Sequence, residues 1–208
     1  DQAICKALDE PNTDYKTIQD YAAREFARLH AEALESYEYD DAKVYKEQLA
    51  VSGYLDIALP HFKSLGAPIE SQSKIVVDIG LPVPIVGYID LLYEGVVRDI
   101  KTVGRLPKTV PSATCRQLAI YAHAKDSIPI VDYVHHTKTS QQIVTMPVPN
   151  HRSHWEMAVK AANNMAKLLS ISSDIKEIAG LIMPDFDDWK WSTGEKEAAR
   201  RLWSLNDE

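Results

Sequence analysis

The stretch Gly87-Tyr88-Ile89-Asp90-Leu91-Leu92-Tyr93-Glu94-Gly95-Val96-Val97-Arg98-Asp99-Ile100-Lys101-Thr102 decides how this chain is read. Two runs rich in β-branched and aromatic residues flank Glu94-Gly95, the pattern of two strands joined by a two-residue hairpin loop. Such a loop sets the register: Tyr93 faces Val96, Leu92 faces Val97, Leu91 faces Arg98, and Asp90 faces Asp99. Directly opposed residues on one sheet face hold their Cβ atoms about 4.5–5.5 Å apart. Lys101, two residues beyond Asp99, points to the same face. The spacing predicts two carboxylates and an ammonium in one place.

Like charges so placed repel, and a fold accepts them when a cation sits between them or one carboxyl keeps its proton. Hard oxygen ligands that leave water in the coordination shell suit Mg²⁺ or Mn²⁺. A metal on two carboxylates beside a lysine is a site for activating water against a phosphodiester. The same spacing also fits an exposed two-stranded ribbon in which Lys101 simply neutralises an aspartate. The apolar residues on both faces (Ile89, Leu91, Val96, Val97, Ile100) argue for a covered central hairpin instead. Further along, Gln117 and Tyr121 are four apart and share one helix face. They fit either a contact with nucleic acid or a helix interface with satisfied polar tips.

Outward from the hairpin, the periodicity is helical first and strand-like later. Ile18, Ala22, Phe26, Leu29, Ala33 and Tyr37 form one apolar stripe, with Thr13 or Asp14 to cap it. Tyr45, Leu49, Leu55, Leu59 and Phe62 form a second, which Pro60 should bend and Gly66 should end. Residues 1–66 therefore read as a helical arm or lid and residues 67–208 as the core with C-terminal helices, within one compact domain overall. Strands are expected at 74–79, 84–93 and 96–101, a helix from Pro111 to about Lys125, and a hairpin of strands 128–137 and 141–148. A helix at 154–169, a polar linker at 184–192 and a short helix at 195–205 follow. The fold class is α/β: a central mixed sheet of about five strands flanked by helices.

Composition narrows the function. The chain has 208 residues, 45% of them hydrophobic, and a net charge of -7, an ordinary globular balance long enough to bury a core without staples. Two cysteines, Cys5 and Cys115, exclude a disulfide scaffold and a four-cysteine metal site. They suggest a reducing, cytoplasmic setting. No apolar run is long enough for a membrane span, so no membrane partner is expected. The acidic total argues mildly against a polyanion ligand, but residues 98–138 hold 7 basic and 3 acidic side chains, net +4. A polyanion would be drawn there, to Arg98, Lys101, Arg105, Lys108, Arg116, Lys125 and Lys138.

Together, Gly87…Asp90, then Asp99-Ile100-Lys101-Thr102, then Gln117…Tyr121, preceded by Pro68-Ile69-Glu70, resemble the PD-(D/E)XK nuclease superfamily over residues 68–148. The likeness is to its RecB-like branch, which includes phage-type exonucleases. It implies a restriction-endonuclease-like core cutting DNA with Mg²⁺ or Mn²⁺. Asp90, Asp99 and the Ile100 backbone carbonyl would ligate the metal. Lys101 would orient the attacking water and stabilise phosphate charge. Gln117 and Tyr121 would position substrate or the groups around the metal ligands. Independently of the resemblance, the positive segment and their place just after the Asp99 strand and at the start of the Gln117/Tyr121 helix make Arg105, Lys108 and Arg116 the expected phosphate contacts. The resemblance calls for a helix histidine as an additional ligand, to be supplied by His30 or by a residue before Asp1. Relatives with an iron–sulfur cluster use a C-terminal cysteine set; residues 184–192 offer Asp185, Asp187, Asp188, Trp189 and Trp191 but no cysteine, so no cluster is expected. DNA is the implied partner, with a recombination or annealing protein beside it. An exonuclease, a structure-selective endonuclease and a non-catalytic nucleic-acid-binding module on a nuclease fold all remain open at this point.

Overall fold

The computed structural model describes residues 1–34, 40–186, 188 and 191–204. Three helices come first: α1 (Gln2–Asp9), α2 (Tyr15–Leu34) and α3 (Asp41–Ser64). Then follow β1 (Glu70–Val77), β2 (Ile85–Tyr93), β3 (Val96–Val103), α4 (Ser112–Lys125), β4 (Ile128–His136) and β5 (Gln141–Pro147). The chain closes with α5 (His151–Leu169), α6 (Ile175–Ala179) and α7 (Thr193–Leu202).

The strands lie in chain order, β1-β2-β3-β4-β5, in one mixed sheet. Only β3 and β4 run parallel, because α4 carries the chain back between them; the other neighbours are antiparallel. The expected hairpin register holds: Tyr93 pairs with Val96, Leu92 with Val97, and Leu91 with Arg98. Gly95, at φ +64, supplies the left-handed turn conformation that a side chain would resist.

Helices cover both faces of the sheet. On one side Ile4, Leu8, Ile18, Leu55, Leu59 and Phe62 share a buried cluster with Leu91, Ile100 and Val134. The helices of residues 1–66 thus pack as a layer on this face of the sheet. On the other side Cys115, Leu118, Tyr121 and Ala122 of α4 close over Ile89, Val97, Val131 and Tyr133. There α5 docks on α4 through the stacked rings of His123 and Trp155, 3.8 Å between centroids.

Some boundaries differ from the sequence expectation. Strand β1 begins at Glu70, four residues earlier than its β-branched run, because pairing with β2 carries the polar Ser71 and Ser73 into the sheet. Helix α3 runs through Pro60 to Ser64. The short α6, capped by Asp174, has no apolar period long enough to announce it. Tyr37 and Trp189 lie outside the described residues.

A buried ion pair links β3 and β4 beneath α3. Asp132 is 0% exposed. One of its oxygens lies 2.6 Å from Arg98 Nη1, and the other accepts from Thr145 Oγ1 at 2.6 Å. His61 of α3 approaches to 3.8 Å. This corrects the reading of Arg98 as a draw for polyanions: its guanidinium is occupied inside the fold. Lys125 is likewise paired, with Glu70 at 2.8 Å. Removing one partner of a buried pair leaves an uncompensated charge, so Asp132→Ala should destabilise the protein by about 3–5 kcal/mol. Urea unfolding with an unchanged m-value checks it. The double replacement Asp132→Leu with Arg98→Met should recover most of the loss. A loss under about 1 kcal/mol in the single variant would show that the pair does not hold the sheet.

Candidate active site at a fork in the sheet

The β2–β3 ladder stops at the Leu91–Arg98 rung. Beyond it β2 stays paired with β1 as far as Ile85, and β3 stays paired with β4 as far as Val103. The two strands therefore part, and the rung that would have set Asp90 opposite Asp99 is not formed. Strand β2 also loses its alternation here. Ile89 packs on the α4 side and Leu91, two residues on, packs on the α1–α3 side. Regular pleating would send both the same way, so the phase changes at Asp90.

The Asp90 carboxylate fills the fork. Its Oδ2 accepts the Ile100 backbone N–H at 2.8 Å, and its Oδ1 accepts from Gln72 Nε2 at 3.1 Å. Its backbone carbonyl faces Cys5 Sγ of α1 at 3.5 Å. Across the fork, Lys101 Nζ lies 3.0 Å from Asp99 Oδ1 and 2.8 Å from Oδ2. Helix α4 contributes Gln117, whose Nε2 donates to Asp99 Oδ1 at 3.3 Å and whose Oε1 accepts from Lys101 at 3.4 Å. The Gln117 amide also donates to the Tyr121 hydroxyl at 3.0 Å. Four residues expected from the sequence (Asp99, Lys101, Gln117, Tyr121) form one hydrogen-bonded chain, with Asp90 beside it.

Both carboxylates are displaced toward the neutral form. Burial, and then the negative charge of Asp99, push the Asp90 carboxyl above its ordinary range, against the pull of the Ile100 N–H. Burial pushes Asp99 up as well, with Lys101 opposing. Burial and the charge of Asp99 also raise the phenol of Tyr133, the β4 neighbour of Lys101. Asp99 is 2% exposed, and its Oδ2 has the Lys101 charge nearby but no hydrogen bond of good angle. A buried carboxylate oxygen with an unused lone pair, near a second buried carboxylate, fits a small hard cation. Asp90, Asp99 and the Ile100 carbonyl would be the oxygens offered to such an ion.

The other expected residues, and the two histidines that end β4, fall differently. Arg105 and Lys108 are exposed in the loop after β3, and Arg116 is half-buried in the first turns of α4. No ion pair among the described residues engages these three. His30 lies on α2 and does not complete a ligand group with Asp90 and Asp99: among the described residues no three His, Cys, Asp or Glu side chains gather to hold a metal. His135 is buried with Nδ1 3.1 Å from the Val103 carbonyl. His136 packs edge-on against Tyr54. Trp191 packs on Phe186 with 5.5 Å between ring centroids.

Sequence reasoning missed Gln72, Cys5, Asp132 and Tyr133. Gln72 and Cys5 reach Asp90 from β1 and α1, across 18 and 85 residues of chain. No local period signals such contacts.

No family model and no curated protein matches the chain. Among solved structures, a chain described as "Crystal structure of SSO0001" aligns with 88% of this chain and 94% of that chain, at 16% identity and a TM-score of 0.40. That likeness carries no information about the site, which stands on the geometry above.

Gly87, the glycine three residues before Asp90, has a packing reason. A Cβ there would lie 2.6 Å from Tyr121 Cε1. Gly87→Ala should therefore push the Tyr121 ring away, strain the Gln117–Tyr121 hydrogen bond and cost about 1–3 kcal/mol. A double-mutant cycle with Tyr121→Ala reads this out. Most of the cost should vanish when the ring is gone, whereas additive losses would mean the glycine serves something else.

Proposed function

We propose that this chain is a metal-dependent deoxyribonuclease of the PD-(D/E)XK type, acting as an exonuclease as the resemblance to the RecB-like and phage-type branch implies. The observation that supports this reading is the convergence of Asp90, Asp99, Lys101 and Gln117 at the fork. Two carboxylates with raised protonation tendency and one ammonium meet there, and Arg105 and Lys108 in the loop after β3 and Arg116 on α4 enter no ion pair among the described residues. A structural ion pair needs only one carboxylate for Lys101, and the fold spends burial on two.

In this reading Asp90, Asp99 and the Ile100 carbonyl hold Mg²⁺ or Mn²⁺. The ion, when bound, supplies a polarised water and offsets phosphate charge. The Lys101 ammonium is held by Asp99 and Gln117, so it is already oriented when negative charge builds on the phosphate oxygens. Gln117 keeps both partners in place and is itself tied to Tyr121, whose ring rests on the Gly87 backbone. Arg105, Lys108 and Arg116 receive the phosphates that flank the scissile one.

Asp99→Ala should abolish cleavage of linear duplex DNA in Mg²⁺ or Mn²⁺ and leave a folded protein. Lys101→Ala should keep Mn²⁺ binding, measured by calorimetry, and lose about 10²–10³ in turnover, since its interaction is made in the transition state. Cleavage at the parental rate by Asp99→Ala removes the assignment, and lost Mn²⁺ binding with intact turnover in Lys101→Ala reverses the roles.

The cationic loop is tested by the salt dependence of binding. Neutralising Arg105, Lys108 and Arg116 together should make the slope of log affinity against log salt shallower by about two to three units, at ~0.9 per phosphate contact. Binding to a short duplex in Ca²⁺ across a salt series measures it. An unchanged slope puts the DNA path on another surface.

A further inference from the structure

Gln72 is the one described residue in β1 with a left-handed backbone, at φ +49. Outside glycine that region is uncommon and enriched in Asn, Asp and His, so a glutamine there in mid-strand calls for a reason. Nothing in the hairpin architecture demands a turn there. The β1–β2 ladder keeps a constant register on both sides, with Ser71 opposite Leu91 and Ser73 opposite Ile89. Only the rung between them is missing, and it is the rung of Gln72 and Asp90. The backbone is thus twisted at a single residue, directly across from the carboxylate at the fork.

That twist delivers the amide. Gln72 Nε2 donates to Asp90 Oδ1 at 3.1 Å and approaches Cys5 Sγ at 3.4 Å. The terminal torsion of an aspartate is soft, so one hydrogen bond leaves the carboxylate plane free to swing. The Ile100 N–H holds one oxygen and Gln72 holds the other, which fixes the plane. On its far side Gln72 lines a polar cleft with Lys6, Asp9, Tyr21 and Arg28. Without the amide, cleft water would reach Asp90 Oδ1. Strained conformations of this kind persist when the surrounding structure over-determines them, and they gather at functional sites.

We propose that Gln72 is a positioning residue for the divalent-metal site: it locks the plane of the Asp90 carboxylate so that its remaining lone pairs face the cation, and the strain at φ +49 is maintained for that purpose. The inference rests on the nuclease reading of Asp90 and Asp99. Groups that orient metal-ligating side chains typically carry about 10–100-fold in metal affinity.

The test uses the full chain, with Mn²⁺ as the calorimetric probe and thermal melting in chelator as the second readout. Gln72→Gly relieves the backbone strain and removes the amide. It should melt at or above the parental temperature yet bind Mn²⁺ about tenfold or more weakly. The Mn²⁺ needed for half-maximal cleavage should rise by the same factor, with turnover at saturating Mn²⁺ largely kept. Gln72→Asn accepts the left-handed backbone but is one methylene too short to reach Asp90, so it should behave as the glycine variant does. A purely structural glutamine would lose stability and leave metal affinity alone. Parental Mn²⁺ affinity in both variants overturns the proposal while leaving the nuclease reading intact. Absence of Mn²⁺ binding in the parent itself would overturn the nuclease reading, and this inference with it.

Discussion

The parting of β2 and β3 after a single hairpin turn is the constraint on which the rest of the molecule depends. A closed ladder would bring Asp90 and Asp99 to direct opposition, the worst arrangement for two buried like charges. Opening the ladder separates their backbones and leaves the buried Ile100 N–H without a β2 backbone partner. The Asp90 side chain then takes that donor in place of a strand partner. The fork is stable because each strand keeps its outer neighbour, β1 for β2 and β4 for β3. Only one line of hydrogen bonds is given up, and side chains replace it.

Three buried aspartates line this part of the sheet, and they are handled in different ways. Asp132 receives a guanidinium on one oxygen and a hydroxyl on the other, so its charge and lone pairs are met by the protein alone. Asp90 receives two neutral amide donors and no cation in direct contact. Asp99 receives an ammonium and a side-chain amide on Oδ1, and its Oδ2 lacks a hydrogen bond. Both Asp90 oxygens are thus met by neutral donors, and what sets Asp99 apart is an Oδ2 that faces the Lys101 charge at 2.8 Å without a hydrogen bond, a costly state for a buried polar atom.

Support for the site reaches through both helical layers. From the α4 side, Leu118 and Ala119 bury the helix face that carries Gln117 and Tyr121, and the missing side chain at Gly87 lets Tyr121 settle on β2. From the other side, α1 presents Cys5 to Asp90, and α3 closes over the Arg98–Asp132 pair. Residues in direct contact with the site therefore come from α1, β1, β2, β3 and α4, which makes its geometry a property of the whole packed unit.

Much of this was legible in the chain itself. The Glu94-Gly95 turn determined the hairpin and its first three rungs, because a two-residue loop admits one register and Gly95 accepts the left-handed turn. The period of two put Asp99 and Lys101 on one face, and the period of 3.6 put Gln117 beside Tyr121. Local spacing could not show where the ladder would stop, since a strand's pairing is decided by what covers it and not by its own residues. Nor could it show that Arg98 is used up by Asp132, 34 residues away, that His30 stays out of a ligand group with the two aspartates, or that Gln72 turns left-handed to meet Asp90. Those outcomes come from long-range contacts whose energies exist only once the sheet and its two helical layers are assembled.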